Sequence, residues 1–298
     1  MARPATETRP LYARVTDAII ADLERGVRPW ARPWATGASG PISRPLRHSG
    51  EPYRGINVLL LWSETFAHGY GSSTWMTFRQ ALALGGHVRK GEHGATVVYA
   101  NRITREDPDA PEGGDGVRSI PFLKAYTVFN ACQIDGLPEA YAPVAEPAVS
   151  ADRRIATAEA FVAATGATVR HGGDQACYAP GPDHVQMPNL AAFPEVEDYY
   201  GTLLHELTHW TGHASRLNRE FGSRADDHRY ACEELVAELG SAFLCADLRV
   251  SLRPRDDHAS YLAGWLSVLK ADHRAIFAAA AHAQRACDFL HGVAGSAP

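Results

Sequence analysis

Residues 199–210 read YYGTLLHELTHW, and the pentapeptide HELTH within them runs from His205 to His209. The apolar residues of this stretch recur at helical spacing, so we predict a single amphipathic helix. Residues four apart lie on the same face of a helix, so the two imidazoles can bind one metal ion. Glu206 then lies where it can take a proton from a water molecule that the metal activates. The pattern is typical of zinc metallopeptidases, with Glu206 as the catalytic base.

A second helix is predicted over residues 230–244, where apolar residues again recur at helical spacing. Catalytic zinc usually takes three protein ligands and leaves the fourth position to water, so one more ligand is needed. The segment resembles the second zinc helix of the gluzincins, in which a glutamate ligand is followed one turn later by another carboxylate. That resemblance implies Glu234 as the third ligand and Glu238 as the residue that orients a ligand imidazole.

Other residues stay open as the third ligand. His213 follows His209 by four residues, but three histidines at such steps span roughly 12 Å on a straight helix, too far for one ion. His228 lies in a charged stretch, and Glu233 and Glu238 share the predicted helix of Glu234. Imidazole and carboxylate ligands favour zinc, although manganese or another divalent ion fits the same set.

The cysteines argue against a thiolate metal site. The chain has five, an odd number, scattered and without CxxC spacing, which fits a reducing compartment better than a disulfide framework.

No apolar run has transmembrane length. We therefore expect a cytoplasmic protein with no membrane partner.

Charge is distributed unevenly between the two halves of the chain. Residues 1–105 contain 14 Lys and Arg against 7 Asp and Glu, a net of +7, whereas the remaining residues have a net of −12. A basic front half joined to an acidic back half indicates that the front half meets a polyanion.

The basic half also has arginines interspersed with aromatic residues. Single-stranded nucleic acid is bound in this way, because guanidinium groups contact phosphates while aromatic faces stack on bases. Trp62 and Trp75 lie within regular elements and are expected in the core. The residues predicted to contact single-stranded DNA are Trp30, Trp34, Arg47, Tyr53, Arg54, Arg89 and Lys90.

We predict an α+β fold with two domains: an N-terminal domain over residues 1–137, a linker over 138–150, and a C-terminal domain over 151–298 that contains the HExxH helix. In the C-terminal domain, residues 167–171 and 176–179 are predicted to pair as a hairpin across a Gly-rich turn, followed by a strand over 184–188.

The run from Leu11 to Tyr99 resembles the N-terminal domain of plasmid antirestriction proteins of the ArdC type, which is related to the N-terminus of the conjugative TraC primase. The C-terminal half is similar to the zincin-like metallopeptidase domain of those proteins, through the HELTH pentapeptide and the acidic run at 233–238. The matching N-terminal stretches are Gly26-x-x-Pro29-Trp30, Tyr53-Arg54-Gly55-Ile56-Asn57, Trp75-x-Thr77-Phe78-x-Gln80 and Arg89-Lys90-Gly91-Glu92-x-Gly94.

The resemblance implies an antirestriction protein that binds and protects single-stranded DNA entering by conjugation. Its metallopeptidase-like domain is similar to the Spartan-type proteases, which cleave proteins crosslinked to DNA, so DNA-bound proteins are the implied substrates. This chain lacks the third histidine of Spartan at a matching spacing. The alternative is a non-catalytic shielding protein whose metal site is structural or vestigial.

Overall fold

The structure, a computed structural model, describes residues 10–31, 43–106, 117–141, 151–219, 227–250 and 259–295. Trp34 and most of the predicted linker lie outside these residues. The predicted α+β class and two-domain architecture are confirmed, with one mixed region in each half. The predicted boundaries between the domains stay a prediction.

The N-terminal half packs helices against a four-stranded sheet. Its strand order is β1-β2-β5-β4, and a separate pair joins β3 to β6. Helix α3 begins with a capping box, because the Thr77 hydroxyl accepts a bond from the Gln80 amide while the Gln80 side chain accepts one from the Thr77 amide. The elements are α1 (Leu11–Glu24), β1 (Leu46–Arg47), α2 (Ile56–His68), β2 (Thr74–Met76), α3 (Phe78–Ala83), β3 (His87–Val88), β4 (Ala95–Glu106), β5 (Val117–Asn130) and β6 (Ile134–Asp135).

The C-terminal half is mainly helical, with one small sheet. Within the described ranges, no helix combines the length and apolar character needed to cross a membrane. The elements are α4 (Ala151–Ala164), β7 (Val169–His171), β8 (Cys177–Ala179), β9 (His184–Met187), α5 (Val196–Trp210), α6 (Asp227–Leu248), α7 (Ala259–Ala271) and α8 (Ala275–Ala294).

The order of the small sheet is β7-β9-β8, so the predicted hairpin between β7 and β8 is wrong. Strand β9 lies between them, parallel to β7 and antiparallel to β8. The physical reason is burial: Val185 and Met187 on β9 are fully buried, and a central strand covers them better than an edge strand would. Strand β8 is left as an edge of the sheet.

The two halves share a continuous apolar core. Trp62 of α2 packs edge-on against Phe243 of α6, with ring centroids 5.9 Å apart. Trp62 and Trp75 are buried as predicted. A bidentate ion pair between Arg44 and Asp247, with N–O distances of 2.8 and 2.9 Å, also joins the halves. The N-terminal half therefore packs against α6, the helix that contains the predicted third ligand Glu234.

Candidate metal centre

His205 and His209 on α5 and Glu234 on α6 form a buried cluster whose three ligand atoms all lie within 4.8 Å of one another. The two histidine Nε2 atoms are 3.2 Å apart. The Glu234 carboxylate lies 3.5 Å from Nε2 of His205 and 3.6 Å from Nε2 of His209. Tetrahedral zinc with metal–ligand bonds of 2.0–2.1 Å separates its donor atoms by about 3.3–3.4 Å. The described donors thus fit a single small divalent ion.

The two ligand helices approach closely at one glycine. A Cβ atom on Gly240 of α6 would lie 2.5 Å from Cγ2 and 2.7 Å from Oγ1 of Thr208, a residue of the HELTH pentapeptide. Only a residue without a Cβ fits at this crossing without displacing a helix. Gly240 therefore permits the helix separation that brings Glu234 to the two imidazoles.

A buried carboxylate and arginine hold the second imidazole. Nδ1 of His209 lies 3.1 Å from Oε1 of Glu233, and the guanidinium of Arg219 bonds both oxygens of Glu233, at 2.9 and 3.1 Å. Arg219 also donates to the Thr208 carbonyl at 2.6 Å, which ties it to α5. Glu233 thus orients His209, a role that sequence analysis did not assign to it.

Glu238, the residue predicted to orient an imidazole, faces the other histidine. Its Oε2 lies 3.9 Å from Nδ1 of His205, while its Oε1 accepts a hydrogen bond of 3.1 Å from the indole nitrogen of Trp30. Trp30 is fully buried, so neither of its ring faces is available to a base. The prediction that Trp30 contacts DNA is wrong, because the residue instead supports the surroundings of the metal cluster.

The electrostatics of the cluster favour a cation. Burial alone would raise the pKa of Glu234, but the hydrogen bond with His205 and the charge of His209 outweigh it and lower the pKa to about 2. Burial alone would lower the pKa of His209, but the hydrogen bond with Glu233 and nearby carboxylates raise it to about 9. Glu234 is therefore ionised, as a metal ligand must be.

Glu206, the predicted catalytic base, is buried beside the edge strand of the small sheet. Helix α5, which contains Glu206, packs against β8, and burial and then the charge of Glu206 raise the pKa of the Cys177 thiol on that strand. An edge strand offers unpaired main-chain groups to an extended peptide. The predicted base, the ligand cluster and an edge strand of the small sheet therefore lie near one another.

The hydroxyl groups of two tyrosines, Tyr178 and Tyr261, contact different partners. The Tyr178 hydroxyl donates to Asp183 at 2.8 Å, and burial together with this carboxylate raises its pKa to about 12. The Tyr261 hydroxyl lies 3.4 Å from that of Tyr230, which in turn hydrogen-bonds Glu234. Tyr261 is therefore linked to the cluster, whereas Tyr178 is engaged away from it.

The residues predicted to contact DNA do not form one surface of unpaired cations. Tyr53 is buried beneath the guanidinium of Arg47, 5.6 Å from the ring centroid, so its assignment as a stacking residue is wrong. The remaining arginines are exposed but engage carboxylates, and Lys90 is exposed. The pairs are Arg47 with Glu51, Arg54 with Asp288, and Arg89 with Glu92 and Asp135.

The fold and the cluster together define a zincin-like metallopeptidase domain joined to an N-terminal mixed domain, and family comparisons agree. Residues 156–282 match the zincin-like metallopeptidase family MPTase-PolyVal, and residues 9–129 match the N-terminal domain of the anti-restriction factor ArdC. The chain belongs to the ArdC antirestriction family.

Several relatives are similar over nearly the whole chain. The uncharacterized protein y4eC of Sinorhizobium fredii is 44% identical over 97% of this chain and 93% of its own. The DNA primase TraC of Escherichia coli is 38% identical over 95% of this chain, which spans only 27% of that primase. Crystal structures of antirestriction ArdC from plasmid R388, metal-free and Mn(II)-bound, are each 46% identical, cover 96% of this chain and 98% of their own, and have TM-scores of 0.80 and 0.78.

Proposed function

We propose that this protein protects single-stranded DNA that enters a cell by conjugation. Its N-terminal half binds the strand, and its C-terminal half is a metal-dependent peptidase that removes proteins bound to it. Tethering a peptidase site to DNA raises its effective concentration towards DNA-bound proteins. The family membership and the relation to the DNA primase TraC support this setting, and we propose that the protein acts in the cytoplasm.

The observation that carries the proposal is the spacing of the three buried ligand atoms. The two imidazole Nε2 atoms are 3.2 Å apart, and the Glu234 carboxylate approaches them through different oxygens, Oε2 at 3.5 Å from His205 and Oε1 at 3.6 Å from His209, which suits tetrahedral zinc with one position left for water or substrate. The Mn(II)-bound relative supports a divalent ion at this site, and we propose zinc or manganese as its occupant.

His205, His209 and Glu234 would hold the ion, which supplies Lewis-acid polarisation of a peptide carbonyl and of the attacking water. Glu206 is the residue that would accept the proton of that water and pass it to the leaving amine. Glu233 and Arg219 keep the imidazole of His209 in one orientation, so the ligand set is preorganised.

The direct test substitutes Glu206→Gln, which keeps the shape of the side chain but removes the base. We expect the variant to bind metal as the wild type does and to lose both cleavage of a protein crosslinked to single-stranded DNA and protection from restriction. Glu197→Gln, in the first turn of the same helix, is the matched control and should leave both activities intact. Protection that survives Glu206→Gln would contradict the peptidase assignment.

A second function is favoured by the burial of the site. Glu206 keeps only 6% of its surface exposed, and a polypeptide must reach it for cleavage. In this alternative the ion is structural, and the protein shields the strand by binding alone. This alternative predicts that Glu206→Gln leaves protection from restriction unchanged, whereas loss of single-strand binding removes that protection.

A further inference from the structure

Strands β4 and β5 form a long antiparallel ribbon with a distinctive outer face. Tyr99 pairs directly with Lys124, and Asn101 pairs directly with Phe122. Side chains two apart on a strand point the same way, so Tyr126 shares the face of Lys124. We call the surface formed by Tyr99, Phe122, Lys124 and Tyr126 the ribbon face.

The aromatic rings of the ribbon face adjoin one another and remain accessible. Tyr99 is 47% exposed and Tyr126 is 40% exposed. The ring of Tyr99 lies 6.3 Å from that of Phe122 and 6.3 Å from that of Tyr126, measured between centroids. Single exposed apolar residues are ordinary on protein surfaces. Three adjoining rings on one face are less usual, and we expect this surface to bind a partner.

Positive charge accompanies these rings. The Lys124 ammonium lies 5.0 Å from the centroid of the Tyr126 ring, a cation–π distance. Further along the ribbon, the backbone pairs Arg105 with Arg118. The two strands together contain four Lys and Arg against one acidic residue.

The ribbon is anchored to the protein body at Val98 of β4, which is buried. Asn57 of α2 donates to the Val98 carbonyl at 2.8 Å and accepts from the Val98 amide at 2.7 Å. Leu123, on the same side as Val98, packs against the main core. The rings of the ribbon face are therefore presented by a strand pair that is anchored to the protein body through both β4 and β5.

We propose that the ribbon face is the surface on which bases of single-stranded DNA stack. This inference rests on the proposed function, because it locates the strand-binding surface of that function. Tyrosine rings offer faces to bases of any identity, and Lys124 is positioned for the adjacent phosphate. In duplex DNA the base faces are already stacked, so an aromatic surface selects for single strands.

This placement differs from the residues that the sequence suggested. Trp30 and Tyr53 are buried, whereas Tyr99 and Tyr126 are exposed. Val97, which pairs with Tyr126 and shares its face, is buried, so the exposure of the two tyrosines depends on the packing around each residue and no sequence motif indicates it.

The test uses the full chain and a fluorescent oligothymidine, with affinity measured by anisotropy over a range of salt concentrations. We expect Tyr99→Ala and Tyr126→Ala each to weaken binding by about tenfold, with the salt dependence unchanged. Tyr99→Phe, which keeps the ring, should restore nearly all of the affinity. Lys124→Ala should reduce the slope of log affinity against log salt by about 0.7.

Phe78→Ala is the matched control, since Phe78 is 49% exposed on α3 of the same half but is not part of the ribbon face. It should bind as the wild type does. Photocrosslinking with iodouracil-substituted oligonucleotide should attach the strand to Tyr99, Phe122 or Tyr126, and peptide mapping would identify the residue.

The outcomes separate this inference from the proposed function. Wild-type binding that survives the double variant Tyr99→Ala/Tyr126→Ala overturns the ribbon face and leaves strand binding intact. Preference of the wild type for duplex over single strands also overturns it. No binding of oligothymidine by the wild type at low salt overturns the proposed function itself. Circular dichroism of the double variant establishes that it is folded.

Discussion

At the metal centre the ligand side chains of His205, His209 and Glu234 keep only 10–12% of their surface exposed, whereas Tyr99 and Tyr126 on the ribbon face keep 47% and 40%. The ligand side chains of the cluster are fixed by hydrogen bonds and ion pairs with neighbouring side chains. The rings of the ribbon face are instead positioned by the backbone register of β4 and β5. A metal site needs fixed donors in a region of low dielectric, but a stacking surface needs only accessible rings on a stiff support.

The difference predicts that changes at the cluster affect metal binding without affecting the strand-binding surface. The largest effect is expected for His209→Ala, which removes one of three ligands. The variant should lose stoichiometric metal, measured by elemental analysis of the purified protein, and should retain affinity for oligothymidine.

His213→Ala is its matched control. His213 is also four residues from His209, but its Nδ1 bonds Ser215 at 2.8 Å outside the cluster. It should retain full metal content. Loss of metal in the His213 variant would mean that the ligand set is misassigned.

The helix crossing gives the next prediction. Gly240→Ala places a methyl group against Thr208, and such overpacking should destabilise the fold by about 1–3 kcal/mol. We expect weaker metal binding as α5 and α6 separate, measured by chemical denaturation and by metal titration. Gly292→Ala, on α8 with no atom within 4 Å of the added Cβ, should be neutral or slightly stabilising. A Gly240→Ala variant as stable as the wild type would show that the crossing has room for a methyl group.

Trp30→Phe tests whether the N-terminal half contributes to the metal centre. The substitution keeps a buried ring but removes the N–H that holds Glu238, so the affinity for zinc should fall by about tenfold. Trp75→Phe makes the same change at a buried indole whose N–H has no hydrogen-bond partner. Metal competition titrations should give a lower affinity for zinc in Trp30→Phe than in Trp75→Phe. Identical affinities would show that Trp30 does not contribute to the metal site.

The smallest effects are expected among the exposed cations of the β3 turn. Arg89 already bonds Glu92 and Asp135, so Arg89→Ala should leave the salt dependence of strand binding unchanged. Lys90→Ala should lower the slope of log affinity against log salt by about 0.7 if Lys90 contacts one phosphate. A larger change for Arg89 than for Lys90 would show that the strand displaces its carboxylate partners.

Local sequence patterns predicted those secondary-structure elements whose residues interact mainly with near neighbours in the sequence. The helix predicted over residues 199–210 and observed as Val196–Trp210 follows from spacings of three or four residues, which a single helix satisfies without reference to the rest of the fold. The order of the small sheet could not be predicted in this way. Strand pairing depends on which apolar face needs cover, and β9 was placed between β7 and β8 for that reason.

The amino-acid sequence by itself therefore determined the paired histidines and the glutamate between them, because helical periodicity fixes which side chains share a face, whereas Glu234 as the candidate third ligand came from the resemblance to the gluzincins. Only the tertiary structure decided which other side chains hold those ligand residues in place. It brought Arg219 to Glu233 and, from more than 200 residues away, Trp30 to Glu238. It also decided which aromatic residues are exposed, because burial is a property of the packed chain and not of an arginine- and tryptophan-rich segment.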